Sequence, residues 1–175
     1  PWGKLYKREL LSNIRFPSIK YEDLATTPKI IISSKKISFV KDPLYFYSVR
    51  PGSTMGSTKS NSDILQAISE ISDYTKELGL FKNLEDELCF LFIKHALLYR
   101  TILEWPDLNY VKEAYKYGRN IFPEWGRNKY LMNETKKNRT SLKILYNFGP
   151  YAFKSYKKVK AYRHEEKNPV LKSEI

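Results

Sequence analysis

The chain has 175 residues, 42% of them hydrophobic and 15% aromatic, enough to bury one ordinary core or two small ones. A formal net charge of +12 rests on eleven Lys and Arg against four Asp and Glu in residues 1–60, nine against eleven in 61–130, and eleven against four in 131–175. Two basic ends suit an anionic partner (nucleotide diphosphate, phospholipid or nucleic acid), although solubilising lysines account for part of the excess. One cysteine, Cys89, excludes an internal disulfide, and its apolar setting in Leu88-Cys89-Phe90-Leu91-Phe92 fits a buried thiol in a reducing, cytoplasmic protein. The first residue is Pro1, not Met, and no cleavable signal pattern precedes the first motif, so we read the sequence as a segment of a longer protein.

In chain order, Arg8 to Ile14 can form a short helix. Residues 22–34 carry a second helical pattern through Leu24, Ile30, Ile31 and Ile32. Pro28 should start or kink that helix, since an interior proline costs about 3 kcal/mol, and Thr27 offers itself as the cap. Lys36-Ile37-Ser38-Phe39-Val40 and Leu44-Tyr45-Phe46-Tyr47-Ser48-Val49 are rich in β-formers and flank Asp42-Pro43, which predicts two short strands in a hairpin. The Gly, Pro and Ser content of residues 50–58 marks a loop and the boundary between two parts. The expected class is therefore α+β, mainly α: a small α/β segment with a β-hairpin over residues 1–58, then a helical domain over 59–175.

From Asn61 onward the periodicity is helical. Ile64, Leu65, Ile68, Ile71, Thr75 and Leu78 form one apolar stripe that Gly79 closes. A helix over about 84–104 is apolar nearly all round, but Lys94, His95 and Arg100 interrupt it, so it does not read as a membrane span. Further helices are expected from about Asp107 to Phe122 and over about 124–137. In residues 148–163, Phe148, Ala152, Tyr156 and Val159 recur at helical spacing beside Lys154, Lys157, Lys158, Lys160 and Arg163. That is the composition of an in-plane helix at an anionic membrane surface; the ordinary alternative packs the aromatic stripe on the helical domain and leaves the lysines in water.

Trp2-Gly3-Lys4-Leu5-Tyr6-Lys7-Arg8, Ile14-Arg15-Phe16-Pro17, Tyr21-Glu22-Asp23-Leu24, Leu44-Tyr45-Phe46-Tyr47 and Arg50-Pro51-Gly52-Ser53 together resemble the C-terminal part of bacterial family-two glycosyltransferases of the GT-A type. The resemblance covers about residues 1–55. It implies inverting transfer from a nucleotide sugar to a glycan or lipid-linked acceptor, as in surface polysaccharide synthesis at the inner face of the cell membrane. The catalytic base falls on Asp23, at a helix start whose positive end favours a carboxylate, with Glu22 orienting the acceptor. Lys4 and Arg50 become the cations near the leaving diphosphate, Ser53 a hydroxyl donor, and Trp2 a stacking surface for an acceptor sugar. Without the resemblance, Glu22 and Asp23 would be read as acidic residues that favour a helix N-terminus, and Trp2 equally as core.

The family's D-x-D motif, which holds Mg²⁺ or Mn²⁺ and the nucleotide, does not occur in this sequence, and Glu85-Asp86-Glu87 reads as a solvated acidic first turn. The donor site is thus expected outside the chain, which should bind no metal and turn over no nucleotide sugar by itself. Two histidines and one cysteine make no convincing zinc site, and no phosphate-binding glycine loop or G-x-S-x-G is present. The competing readings are a basic helical module for nucleic acid, which we do not favour, and a structural interaction module.

Overall fold

The computed structural model describes residues 3–46, 48, 62–103 and 107–167. The chain divides into two compact units, Pro1–Leu91 and Phe92–Ile175. All regular structure among the described residues is helical.

In the first unit a 3₁₀ turn, Arg8–Leu11, precedes α1 (Glu22–Ser33), which packs against α2 (Asp63–Glu77). Ala25, Thr26 and Ile30 of α1 and Ile64, Leu65, Ile68 and Ile71 of α2 are buried. Each large aliphatic side chain withdrawn from water in this way contributes about 2 kcal/mol. The buried hydroxyls of α2 are satisfied within its own helix: Ser72 donates to the Ile68 carbonyl at 2.9 Å and Thr75 to the Ser72 carbonyl at 2.8 Å. At its C-terminus Gly79 takes a left-handed φ of 67°, and the Leu80 N–H reaches back to the Thr75 carbonyl at 2.8 Å, a Schellman closure. α3 follows as Phe81–Phe92.

Two expectations fail in this unit. Thr27 does not cap a helix that has Pro28 in its first turn: α1 begins at Glu22 after Tyr21, and Pro28 sits inside it, where burial of Ala25, Thr26 and Ile30 outweighs the hydrogen bond the proline cannot make. The β-hairpin is absent, and with it the α/β segment: residues 36–40 and 44–46 have no regular structure. Phe39 is 86% and Phe46 90% exposed. A strand exists only as part of a ladder, and no strand lies among the described residues to pair with. The Leu44 N–H is instead taken by a local turn to the Asp42 carbonyl at 2.9 Å, and Pro43 has no N–H to offer. The remainder of the second run, Tyr47 and Val49, and the loop at 50–58 lie outside the described residues.

In the second unit the helix leaving α3 widens into a π-helical segment, Ile93–Leu103. The Ala96 carbonyl there receives the Thr101 hydroxyl at 3.0 Å and the Tyr110 hydroxyl at 3.3 Å. α4 (Leu108–Ile121) is capped by Asp107, whose carboxylate accepts the Tyr110 N–H at 2.9 Å; such a cap stabilises by about 1 kcal/mol. Where one helix over about 124–137 was expected, two 3₁₀ turns stand, Trp125–Arg127 and Lys129–Asn133. Asn128 separates them: its backbone is extended at ψ 133°, and its side chain accepts the Tyr130 N–H at 3.0 Å.

α5 (Lys136–Lys167) is broken at Gly149, whose φ of 79° and ψ of −176° are not helical. Pro150 follows and brings no N–H to the carbonyl of Tyr146. Arg119 of α4 supplies the missing donor from Nη2 at 2.5 Å, with its guanidinium 4.2 Å over the Tyr146 ring. Phe92, Leu97, Phe122, Trp125, Leu145 and Phe153 form the core of this unit. The break also shifts the phase of the last segment: Phe153 is buried, whereas Phe148 and Val159 of the expected stripe are exposed.

Candidate functional site

The start of α1 is the place where side-chain chemistry, exposure and rigid support coincide. Glu22 and Asp23 occupy its first turn, with Asp23 exposed and Glu22 half-buried. The Asp23 carboxylate accepts the Leu24 N–H through Oδ1 at 2.8 Å, and no side chain at the preceding position caps the helix. Both carboxylates therefore complement the positive end of the helix dipole.

Tyr21, immediately before them, has φ 66° and ψ 30°. It is the one non-glycine residue in the left-handed region among the described residues. A bulky residue there costs about 1–2 kcal/mol, and such strain persists only where surrounding contacts impose it. The contacts are present. The Lys20 N–H donates to the Asp63 carboxylate of α2 at 3.0 Å, and the Tyr21 carbonyl accepts the Ala25 N–H at 3.0 Å. Farther along α1, Lys29 pairs with Glu70 at 3.0 Å, and the Ser33 and Tyr74 hydroxyls meet at 2.6 Å. α1 is thus tied to α2 before its first turn, at its middle and at its end, and the carboxylates project from a fixed backbone.

Of the other residues singled out from sequence, Lys4 is exposed in a segment without regular structure. Trp2, Arg50 and Ser53 lie outside the described residues. The structure thus describes the two carboxylates side by side and one of the two cations. Sequence reasoning missed Tyr21 and the Asp63, Glu70 and Tyr74 anchors. A tyrosine carries no signal for a left-handed backbone, whereas Asp63, Glu70 and Tyr74 could have been found as polar members flanking the apolar stripe of α2.

The second unit holds a cavity of about 240 Å³ bordered by Thr101, Asp107, Val111, Phe153 and Lys154. Its polar groups already serve the fold, Asp107 as the α4 cap and Thr101 toward Ala96. Glu134 accepts from Asn138 and from Lys94, each at 3.0 Å. The Asn138 hydrogen bond, with Lys94 adding to it against the opposing effect of burial, holds the Glu134 carboxyl below its ordinary range. Glu134 in turn raises the Lys94 ammonium. Lys157 donates to the Ile102 carbonyl at 2.6 Å, and burial pushes its ammonium below the usual lysine range. Among the described residues no group of three or more His, Cys, Asp or Glu side chains is placed to hold a metal ion.

No family model and no solved structure matches the chain. It is similar to the glycosyltransferase GlyA of Streptococcus pneumoniae serotype 4, 30% identical over 106 residues. The matched stretch is 59% of this chain and 14% of that protein, so the chain spans a small part of the length of the relative it matches.

Proposed function

We propose that this chain is the acceptor-side part of an inverting glycosyltransferase of family two and GT-A type, with Asp23 as its catalytic base. The similarity to a glycosyltransferase supports the class of reaction. The observation that carries the site is the exposed Asp23 at the start of α1, on a backbone tied down through Lys20, Lys29 and Ser33. In the proposed step the Asp23 carboxylate takes the proton of an acceptor hydroxyl as that oxygen attacks the anomeric carbon of the donor sugar. The new C–O bond forms on the face opposite the leaving group, and the bond to the nucleoside diphosphate breaks with its electron pair departing on the phosphate oxygen. Glu22 orients the acceptor, Lys4 and Arg50 meet the developing diphosphate charge, Ser53 donates to it, and Trp2 stacks on the acceptor sugar. The donor nucleotide and its Mg²⁺ or Mn²⁺ belong to residues outside this chain, which does not turn over alone. A glycan or lipid-linked acceptor of a surface polysaccharide fits this reading.

The test is Asp23→Asn in the full-length protein. Transfer should fall by about 10²–10⁴-fold while the melting temperature and circular dichroism stay unchanged. Undiminished transfer by that variant overturns the assignment of the base, and transfer by the isolated chain overturns the assignment of the donor site.

A further inference from the structure

We propose that the outward face of α5 beyond Gly149 lies in the plane of an anionic lipid bilayer. Phe153 turns into the core, which fixes the opposite side of the helix as solvent-facing. On that side stand Tyr151, Val159 and Tyr162, which are 66%, 53% and 62% exposed. Steps of eight and eleven residues from Tyr151 return to one face of an α-helix. Lys154 and Lys158 are exposed on the same face, three and seven residues from Tyr151. Phe148, 72% exposed, adds an apolar ring at the break, and Lys112 of α4 sits 4.7 Å over the Tyr151 ring.

The charge on this surface is of one sign. No Asp or Glu occurs from Pro150 to Arg163, whereas five Lys and Arg do. A second copy of the same face would meet like charge and be repelled, while a layer of anionic headgroups is complementary. The mixture of residues also sets the depth. Tyrosines prefer the headgroup level, lysine stems reach along apolar surface with the ammonium in water, and a valine and a phenylalanine add modest insertion. No described helix is long and apolar enough to cross a membrane, so this contact lies along the surface. Nucleic acid would satisfy the lysines but gives Val159 and Phe148 no comparable apolar medium. The inference goes beyond glycosyl transfer and is read without donor or acceptor, so either can fail alone.

The full chain is mixed with vesicles of phosphatidylcholine alone and of phosphatidylcholine with phosphatidylglycerol, and bound protein is sedimented over a series of salt concentrations. Binding to the anionic vesicles only, weakening as salt rises, is expected. Lys154→Ala with Lys158→Ala should weaken partitioning by about fivefold per lysine. Tyr151→Ser with Tyr162→Ser should weaken it severalfold with every lysine in place. All four side chains are exposed, although Tyr151→Ser gives up the Lys112 contact and Lys154 borders the cavity, so a melt of each variant separates loss of binding from loss of fold. Equal binding to neutral vesicles, or binding to neither, overturns the proposal. So does retention of binding by the tyrosine variant together with tight, salt-sensitive capture of duplex DNA, which would identify the surface as a phosphate-binding one.

Discussion

Gly118→Ala sets two physical effects against each other inside the second unit. Gly118 is buried in α4, and alanine in a helix interior is favoured over glycine by about 1 kcal/mol. A Cβ at this position, however, would lie 2.8 Å from two atoms of the Phe92 ring and 3.0 Å from Cδ1 of Trp125. Carbon atoms in good contact stay about 3.5–4.0 Å apart. Neither ring has room to retreat, for both are fully buried. Phe92 lies 5.5 Å from Tyr117 and 5.8 Å from Phe122 between ring centres, and Trp125 packs edge-on to Tyr146 at 5.0 Å. Overpacking of this kind costs about 1–3 kcal/mol, and two blocked contacts place it near the upper end. The variant should therefore be about 1–2 kcal/mol less stable despite its better helix former. Urea unfolding of the chain followed by far-ultraviolet circular dichroism measures this. Asn120→Ala, on the exposed side of the same helix, isolates propensity and should stabilise by about 0.5 kcal/mol. A Gly118→Ala chain as stable as its parent, or more so, would refute the argument that these aromatics hold their places.

Two more predictions concern ion pairs. Lys29 and Glu70 are 15% and 29% exposed at 3.0 Å, so a double-mutant cycle with Lys29→Met and Glu70→Gln should give a coupling of about 1–2 kcal/mol, above the range of surface pairs; a coupling near zero would show that the pair does not hold α1. Glu134, only 10% exposed and with its carboxyl held low, contributes stability that is present above the unfolded carboxyl value and lost as pH falls through the folded one. Glu134→Gln should lower stability by about 1 kcal/mol at neutral pH. Melting temperatures across an acid series should show the parent and variant converging, and a gap that stays constant into strong acid would contradict the linkage.

Legibility from sequence followed the range of the interactions involved. The stripe of Ile64, Leu65, Ile68 and Ile71 with its stop at Gly79 was readable because period and terminator both act locally. The β-formers around Phe39 and Phe46 were misleading for the opposite reason, since propensity for a pleated surface has no effect without a neighbouring strand. Residues 124–137 failed on one side chain: Asn128 competes with the helix for a backbone N–H, which composition does not reveal. The acidic pair was visible as a helix start. Its support was not, because Lys20 to Asp63 and Lys29 to Glu70 join residues far apart in the chain.

The arginine that serves the break in α5 is tied to the glycine as closely as to the proline. With Pro150 in place, loss of Arg119 strands the Tyr146 carbonyl without its donor. Replacing Pro150 alone does not release Arg119 from this duty, because Gly149, at φ 79° and ψ −176°, turns the following amide out of helical register. The guanidinium is therefore a fixed part of the bend itself, and straightening this helix would take a change of the glycine, the proline and the arginine together.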